Sequence, residues 1–572
     1  MLEGNGGLSA LRALGKALLQ STVFSHAQRS NKWQRSFHSF ENPVARKLEA
    51  YDATPEAIAR AEAAVFEIGK LLLGSKEELR KSLKCAEVHT PNSISIAESS
   101  FYSYSLSPFS TKAMSDDFGY KTLTNVQETT IRTILEGNDV VVKGKAGSGK
   151  TIAYLLPAVE LLLEAWSSSK SCEKDIHSLI LCPSRELALQ IFTQAQTLLR
   201  YHSNFTARVL TGGFRISKER ERFQSCPCQM VIATPGRLLD HLEKTEGFKE
   251  RLGNLKLLIL DEADHILDVR FRKTVEDILQ FLPLVRQTLL FSTTIPSEIR
   301  SISKIALKDG HKCVDMIDID NSTAHEQVNQ KCVVAQMEKH LPVMYAILKE
   351  HIHLMPNYKV LVFCVTARVT AFMYQLFKDL GFNCVEIHSK KSQTSRFHTY
   401  RDFRDSEGAT IMFTSDVSSR GLDYPNVTLV VQIGLPERGG TYINRIGRTG
   451  RSGKDGESLL LLAPWEEYFL QKLQNQSIEL VPAPDFEFLT EAKISSTLAS
   501  LDPMLRWHAY RTWLGYYLSL TNLPLSKEKI VEHANSFSST IGFEKPPLLS
   551  RNLIKKMGLR GVKGLTRKRK EV

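Results

Sequence analysis

The run Gly144-Lys145-Ala146-Gly147-Ser148-Gly149-Lys150-Thr151 places glycines, a lysine and a hydroxyl in the spacing GxxxxGK[ST]. Glycines let backbone N–H groups converge on phosphate oxygens, and a helix that starts at such a loop adds a favourable dipole. Lys150 has the charge and reach to neutralise β- and γ-phosphates, and the Thr151 hydroxyl can ligate Mg²⁺. That is the chemistry of nucleoside triphosphate binding. Further on, Asp261-Glu262-Ala263-Asp264 follows an apolar run. A carboxylate at a strand end beside such a loop, here Asp261, can hold Mg²⁺ with Thr151, and Glu262 can polarise an attacking water.

These groups need elements to position them. Val140–Lys143 is an apolar run that leads straight into the glycine-rich loop, and a helical stretch opens at its end, giving the strand–loop–helix setting that a phosphate cradle requires. Leu257–Leu260 carries the acidic pair. Similar runs at Leu179–Cys182, Met230–Ala233, Thr288–Ser292, Val360–Cys364, Thr410–Thr414, Leu429–Ile433 and Ser458–Leu462 alternate with helical stretches. Strands that are apolar on both faces belong to parallel sheets covered by helices on both sides. The expected fold class is therefore α/β, with two tandem doubly wound parallel-sheet domains and a helical C-terminal extension.

Organisation follows from the same pass. Residues 101–315 and 331–480 form the two α/β domains, and the polar stretch 316–330 joins them. Residues 481–572 form the extension, in which Asp502-Pro503 starts a helix. Met504, Trp507, Tyr510, Trp513, Leu514, Tyr517 and Leu518 repeat along it at helical spacing, with Arg506, His508 and Arg511 interleaved. The Trp and Leu stripe reads as packing against the body. The polar side is open to a nucleic-acid contact.

The net charge of +12 sits at the ends of the 572 residues. Residues 1–48 carry about +5 and residues 551–572 about +8, which leaves the middle close to neutral. A polyanion must then be gripped by placed groups and not by bulk charge. In residues 1–50, Leu8, Leu11, Leu14 and Leu18 form a helical stripe with Arg12 and Lys16 off it, the pattern of an organelle presequence. Residues 51–100 are an N-terminal extension. No apolar run approaches the roughly 18–20 residues that cross a bilayer. Nine cysteines without a CxxC pair argue against a disulfide scaffold or structural zinc and for buried thiols.

With these residues in place, the chain resembles the DEAD-box ATP-dependent RNA helicases. PSRELALQ (183–190), Gly212-Gly213, TPGR (234–237), DEAD (261–264), STT (292–294), VLVFC (360–364), SDVSSRGLD (415–423) and NRIGRTGR (444–451) stand in the family's order. Phe118-Gly119-Tyr120 and Thr124-Asn125-Val126-Gln127 lie where the family reads adenine. The resemblance covers about residues 100–465 and implies two RecA-like domains that close on ATP and RNA together. It implies that Gln127 bonds the adenine edge, that Phe101 stacks on the base, and that Asp423 approaches the ribose. Pro183, Arg185, Gly213, Thr234, Gly236 and Arg237 would line the RNA backbone in the first domain. His388, Ser389, Gln393 and Arg396 would do so in the second. Arg448 and Arg451 would reach the γ-phosphate, completing a catalytic set with Lys150, Asp261 and Glu262. Backbone and sugar contacts of this kind select RNA without reading its sequence.

Two departures stand out. The family has Ser-Ala-Thr where this chain has Ser292-Thr293-Thr294, and His where it has Asn444. Both elements link nucleotide state to RNA state in the family, so coupling is the property in question. The expected function is RNA-stimulated ATP hydrolysis with local duplex separation. The alternative is an ATP-gated RNA clamp that unwinds little. TLVVQIGLP (428–436), LLLLAPWEE (459–467) and the aromatic extension resemble the organelle-type subgroup of RNA chaperones. The mitochondrion is the expected compartment, with the chloroplast as alternative.

Overall fold

A computed structural model describes residues 106–144, 147–167, 174–267, 271–293, 305–316, 328–419, 421–450, 455–474 and 476–566. The N-terminal segments at 1–50 and 51–100, most of the 316–330 stretch and the last basic run at 567–570 lie outside the described residues.

Fourteen strands among the described residues form two sheets of seven. In the first, β1 (Val140–Lys143), β2 (Ser178–Leu181), β3 (Ala207–Leu210), β4 (Met230–Ala233), β5 (Leu257–Asp261), β6 (Gln287–Ser292) and β7 (Lys312–Asp315) lie in the order β3-β4-β2-β5-β6-β1-β7. The second holds β8 (Val328–Val334), β9 (Lys359–Cys364), β10 (Cys384–Ile387), β11 (Thr410–Thr414), β12 (Leu429–Ile433), β13 (Gly456–Leu462) and β14 (Ile478–Leu480). Its order is β10-β11-β9-β12-β13-β8-β14. Adding seven to each strand number of the first sheet yields the second, so one topology is used twice. Every pairing is parallel.

The five strands not expected from the sequence are β3, β7, β8, β10 and β14. Four of them are sheet edges with mixed burial, and β8 alternates buried with exposed or half-buried positions over most of its length. A strand covered on one side needs no continuous apolar run, so it leaves a weaker signal. β7 ends just before the polar joining stretch, and β8 takes up its last three residues.

In the first domain, alternate residues feed two cores: Val140 and Val142 pack on one face, Val141 on the other. The second sheet does the same: Val360 and Val362 pack on one face, Leu361 and Phe363 on the other. The helices Pro503–Ser519 and Lys527–Thr540 join the core of Val360 and Val362 through Trp513, Tyr517 and Phe537. Asp502 caps the first of these, accepting from the Met504 N–H at 2.8 Å. The helix buries Arg506 with Tyr510, Trp513 and Tyr517 while Met504 is exposed. Arg506 donates to the Gly542 carbonyl at 2.7 Å and stacks over Phe543, so this arginine belongs to the packed side. The thiols split: Cys182, Cys228, Cys332 and Cys364 are buried, whereas Cys226 and Cys313 are exposed. Among the described residues no helix is long and apolar enough to cross a membrane.

Candidate functional site

Register brings the chemistry together. Lys143 pairs with Ser292, and Asp261 with Phe291, so β1, β5 and β6 end side by side at one sheet edge. That is where an open α/β sheet binds ligands. The Gly144 N–H donates to the Ser292 carbonyl at 3.0 Å, which ties the loop entrance to β6. Lys145 and Ala146 lie outside the described residues. Gly147 and Gly149 have φ of +80° and +88°, and the helix Lys150–Ser167 follows at once. Gly149 is required sterically too, since a Cβ there would meet Gln127 Nε2 at 2.6 Å.

Gln127 is buried, and its role in the loop is visible in its partners. Thr124 and Gln127 form a reciprocal capping box at the start of the helix Asn125–Leu135. Gln127 Oε1 accepts from the Thr124 N–H at 3.0 Å, and Nε2 donates to the Gly149 carbonyl at 3.3 Å. Thr124 Oγ1 donates to the Ser148 carbonyl at 3.0 Å. The expected adenine reader is thus bolted to the phosphate loop. Phe118 and Tyr120 stack at 5.8 Å nearby in sequence, while Phe101 lies outside the described residues.

Lys150 Nζ donates to the Gly144 carbonyl at 2.5 Å. Burial lowers its pKa, and the charges of Glu262, Asp261 and Asp264 push it back up. Burial raises the carboxyl of Asp261, opposed first by the Tyr154 hydroxyl, which donates to Oδ2 at 2.8 Å. Asp261 Oδ1 accepts from the Glu262 N–H at 2.9 Å. Glu262 occupies the left-handed region at φ 52°, ψ 51°, a strained setting for a side chain with a Cβ. Burial, with Asp264 and Asp261 beside it, pushes its carboxyl up to about 7. Asp264 closes the loop: Ser292 Oγ donates to Oδ1 at 2.9 Å, and Thr293 Oγ1 to Oδ2 at 3.4 Å. Thr294 lies outside the described residues.

The second domain supplies Arg448 to this edge. Its charge acts on both Lys150 and Glu262, and its guanidinium is held by the carbonyls of Leu422 and Asn444. Arg451 lies outside the described residues. Asn444 is half-buried, and its side chain forms no hydrogen bond to Ser292, Thr293 or Asp264 among the described residues. Arg445, by contrast, is wholly buried on Asp416 (2.8 Å) and Gln432 (3.3 Å) and serves the fold. Asp423 lies near enough to Tyr120 for its carboxylate to raise that phenol, after burial, so the expected ribose and adenine elements face each other.

A second cluster joins the helix Arg185–Leu198 of the first domain to the helix Gln393–Asp405 of the second. Glu186 accepts from Gln393 Nε2 at 2.9 Å and pairs with Arg396 Nη2 at 2.6 Å. One turn on, Gln190 Oε1 accepts from the Tyr400 hydroxyl at 3.1 Å and from the Asp423 N–H at 2.9 Å. Arg185 Nη1 donates to Gln393 Oε1 at 3.5 Å and lies across Gly213, where a Cβ would meet it at 2.8 Å. Gln393 and Arg396, expected on an RNA-facing segment, here direct their polar groups at Glu186. His388 is buried on Glu386 at 3.0 Å, with Ser389 exposed beside it. Arg237 donates to Glu219 at 2.5 Å and to the Phe214 carbonyl at 3.0 Å. Pro183 and Thr234 are half-buried, and Gly213 and Gly236 are exposed.

Glu186, Gln190 and Tyr154 were given no role from the sequence. For Glu186 and Gln190 a signal existed, since an i, i+4 pair shares one helix face. Nothing local marks Tyr154.

The DEAD/DEAH box helicase family model matches residues 124–302, and that of the helicase conserved C-terminal domain matches 343–453. The chain is 44% identical over 487 residues to DEAD-box ATP-dependent RNA helicase 31 of Arabidopsis thaliana, covering 85% of this chain and 68% of that protein. It is 44% identical over 492 residues to DEAD-box ATP-dependent RNA helicase 26 of Oryza sativa subsp. japonica, covering 86% and 90%. A solved structure of Mss116p bound to ssRNA and AMP-PNP is similar at 26% identity and a TM-score of 0.75, covering 84% of this chain and 99% of that one.

Proposed function

The chain belongs to the DEAD-box family of ATP-dependent RNA helicases, and from that premise we propose how its own residues perform the work. The chain is an ATP-hydrolysing RNA helicase. The triphosphate lies in the loop 144–151, with Lys150 as counter-charge, Gln127 at the adenine edge and Phe101 stacked on the base. Thr151 and Asp261 offer the hard oxygen donors that Mg²⁺ takes alongside phosphate oxygens and water. A bound Mg²⁺ would neutralise charge on the β- and γ-phosphates. Glu262, raised towards neutral pH by its burial, orients and polarises the attacking water. Arg448 and Arg451 stabilise charge that develops on the γ-phosphate, and Asp423 holds the ribose.

RNA lies across Pro183, Arg185, Gly213, Thr234, Gly236 and Arg237 and continues to His388. Gln393 and Arg396 act at that track by drawing the second domain onto Glu186. The ssRNA and AMP-PNP bound to Mss116p support the same ligands here. The observation that carries this reading is the position of Arg448, a second-domain cation whose field reaches both Lys150 and Glu262. ATP turnover measured without nucleic acid, with single-stranded RNA and then with single-stranded DNA tests it. Stimulation by RNA alone is expected, and equal stimulation by DNA refutes the RNA selectivity.

A clamp that unwinds little is the second reading, favoured by the lack of a hydrogen bond from the Asn444 side chain to Asp264 among the described residues. Service in an organelle, the mitochondrion first and the chloroplast second, rests on the Leu8–Leu18 stripe with its basic neighbours. A reporter fused to residues 1–50 should be imported, and retention in the cytosol overturns the assignment.

A further inference from the structure

One edge of the first sheet is β3, which pairs only with β4 among the described residues. Beside it runs a groove of about 780 Å³ between the helices Arg185–Leu198 and Ile216–Ser225, starting at Gly213. Its floor is apolar, with Phe192, Phe205 and Phe223, and its wall is basic. Arg215, Lys218 and Arg222 recur at spacings of three and four, which puts them on one face of the second helix and its cap, all exposed. Arg208, on β3, faces the same groove, and Phe214 stands at the mouth, 42% exposed. The acid in the lining, Glu219, is already held by Arg237 at 2.5 Å and His241 at 3.1 Å, so it does not cancel the wall.

We propose that this groove is a second RNA subsite, which takes the nucleotides that leave the two-domain track at Gly213. Arg208, Arg215, Lys218 and Arg222 meet phosphates, and Phe214 offers a stacking face to a base. Continuity favours RNA as the occupant, because Gly213 belongs both to the track and to the groove. Charge also favours it: the core is close to neutral overall, yet four cations gather here. An exposed aromatic beside a cationic wall is the pattern of a sequence-tolerant single-strand platform. The inference rests on the reading of Gly213 as part of the RNA track.

The test uses the full chain and fluorescent RNAs, one just spanning the two-domain track and others extended at either end. Wild-type affinity should rise with extension at one end only. Phe214→Ala should cancel that gain on the order of tenfold, the effect of one lost stacking contact. Arg215→Glu, Lys218→Glu and Arg222→Glu together should also cancel it and flatten the log–log salt slope by about 2, at roughly 0.7 per phosphate contact. Both variants should bind the short RNA as wild type does, and RNA-stimulated turnover on it should be unchanged. An unaltered gain in the variants overturns the proposal and leaves the groove to a protein partner. An equal loss on the short RNA overturns it too, because the residues would then serve the main track. If the short RNA stimulates the wild type but extension adds nothing, only the groove fails. If no RNA stimulates it, the underlying reading fails with it.

Discussion

Glu186 and Arg396 form a 2.6 Å ion pair that crosses from the first sheet domain to the second, with both side chains buried. Among the described residues neither bonds to the phosphate loop, yet both sit on the helices that bring the two domains together. The Glu186 carboxylate also accepts from Gln393. A carboxylate with two partners from the other domain reports closure directly.

Arg396→Met should therefore oppose closure, because it leaves the Glu186 charge buried without its cation, at a cost on the order of 3 kcal/mol. Förster transfer between labels on the two domains, in the presence of RNA and a non-hydrolysable nucleotide, measures it. In a double-mutant cycle with Glu186→Gln the combined loss should be smaller than the sum. Strict additivity would show that the pair does not hold the closed state.

Lys150→Ala and Glu262→Gln should separate binding from chemistry. The first removes the main counter-charge of the phosphates and should abolish both nucleotide binding and turnover. The second removes only the water-polarising carboxylate and should keep ATP bound in a closed, RNA-loaded state. Equal loss of nucleotide binding in the two variants contradicts this division.

Tyr154→Phe tests how Asp261 is held. The substitution deletes one hydroxyl from a buried ring that packs edge-on against Phe291 at 5.0 Å. Asp261 would lose a donor and its fixed orientation, an effect of about 1–3 kcal/mol. The half-saturating Mg²⁺ concentration for binding of a fluorescent ATP analogue should rise several-fold. Affinity for the analogue without Mg²⁺ should stay near wild type, and a parallel loss there would assign Tyr154 a purely structural role.

Asn444 is a different case. Ser292 and Thr293 already engage Asp264 from within the first domain. Asn444→Ala should leave ATP turnover unchanged and cost unwinding less than about threefold, well under the effect of a lost buried hydrogen bond. A deep loss of unwinding with intact turnover would place the coupling route through this side chain. Asn444→His should add a pH-dependent contribution to unwinding between about pH 6 and 7.

Glu466 should make the second domain sensitive to pH. Its carboxyl is wholly buried, accepts from the Ala463 N–H at 2.8 Å, is bonded to the Tyr517 hydroxyl, and is pushed up to about 7 by burial. The native state then keeps a proton that the unfolded chain releases near pH 4.5. The stabilisation is fully present below that pH and is lost as pH rises through 7, by on the order of 3 kcal/mol. Melting followed through the fluorescence of Trp465 and Trp513 should show this decline, and Glu466→Gln should flatten it. An identical pH profile in the variant would exclude Glu466 as its source.

Parts whose chemistry is local can be read along the chain. A phosphate loop needs its glycines, lysine and hydroxyl within eight residues between a strand and a helix, so Gly144–Thr151 can be read without a structure. The acidic pair at the end of β5 and the strands buried on both faces are legible for the same reason: nearest neighbours along the chain set their character. Which side chains meet over long separations depends on how the elements pack. Tyr154 reaches Asp261 because β1 and β5 end with only β6 between them, Glu186 reaches Arg396 because two helices from different domains pack together, and Trp513, on a stripe expected to pack on the body, meets Phe537 in the core shared with the second sheet. The edge strands β3, β7, β10 and β14 were hidden because half-burial erases the apolar run, and the groove beside β3 was hidden with them. Hydrogen bonds and ion pairs depend on distances of a few ångströms, and spacing along the chain does not encode such distances once the backbone has turned back on itself.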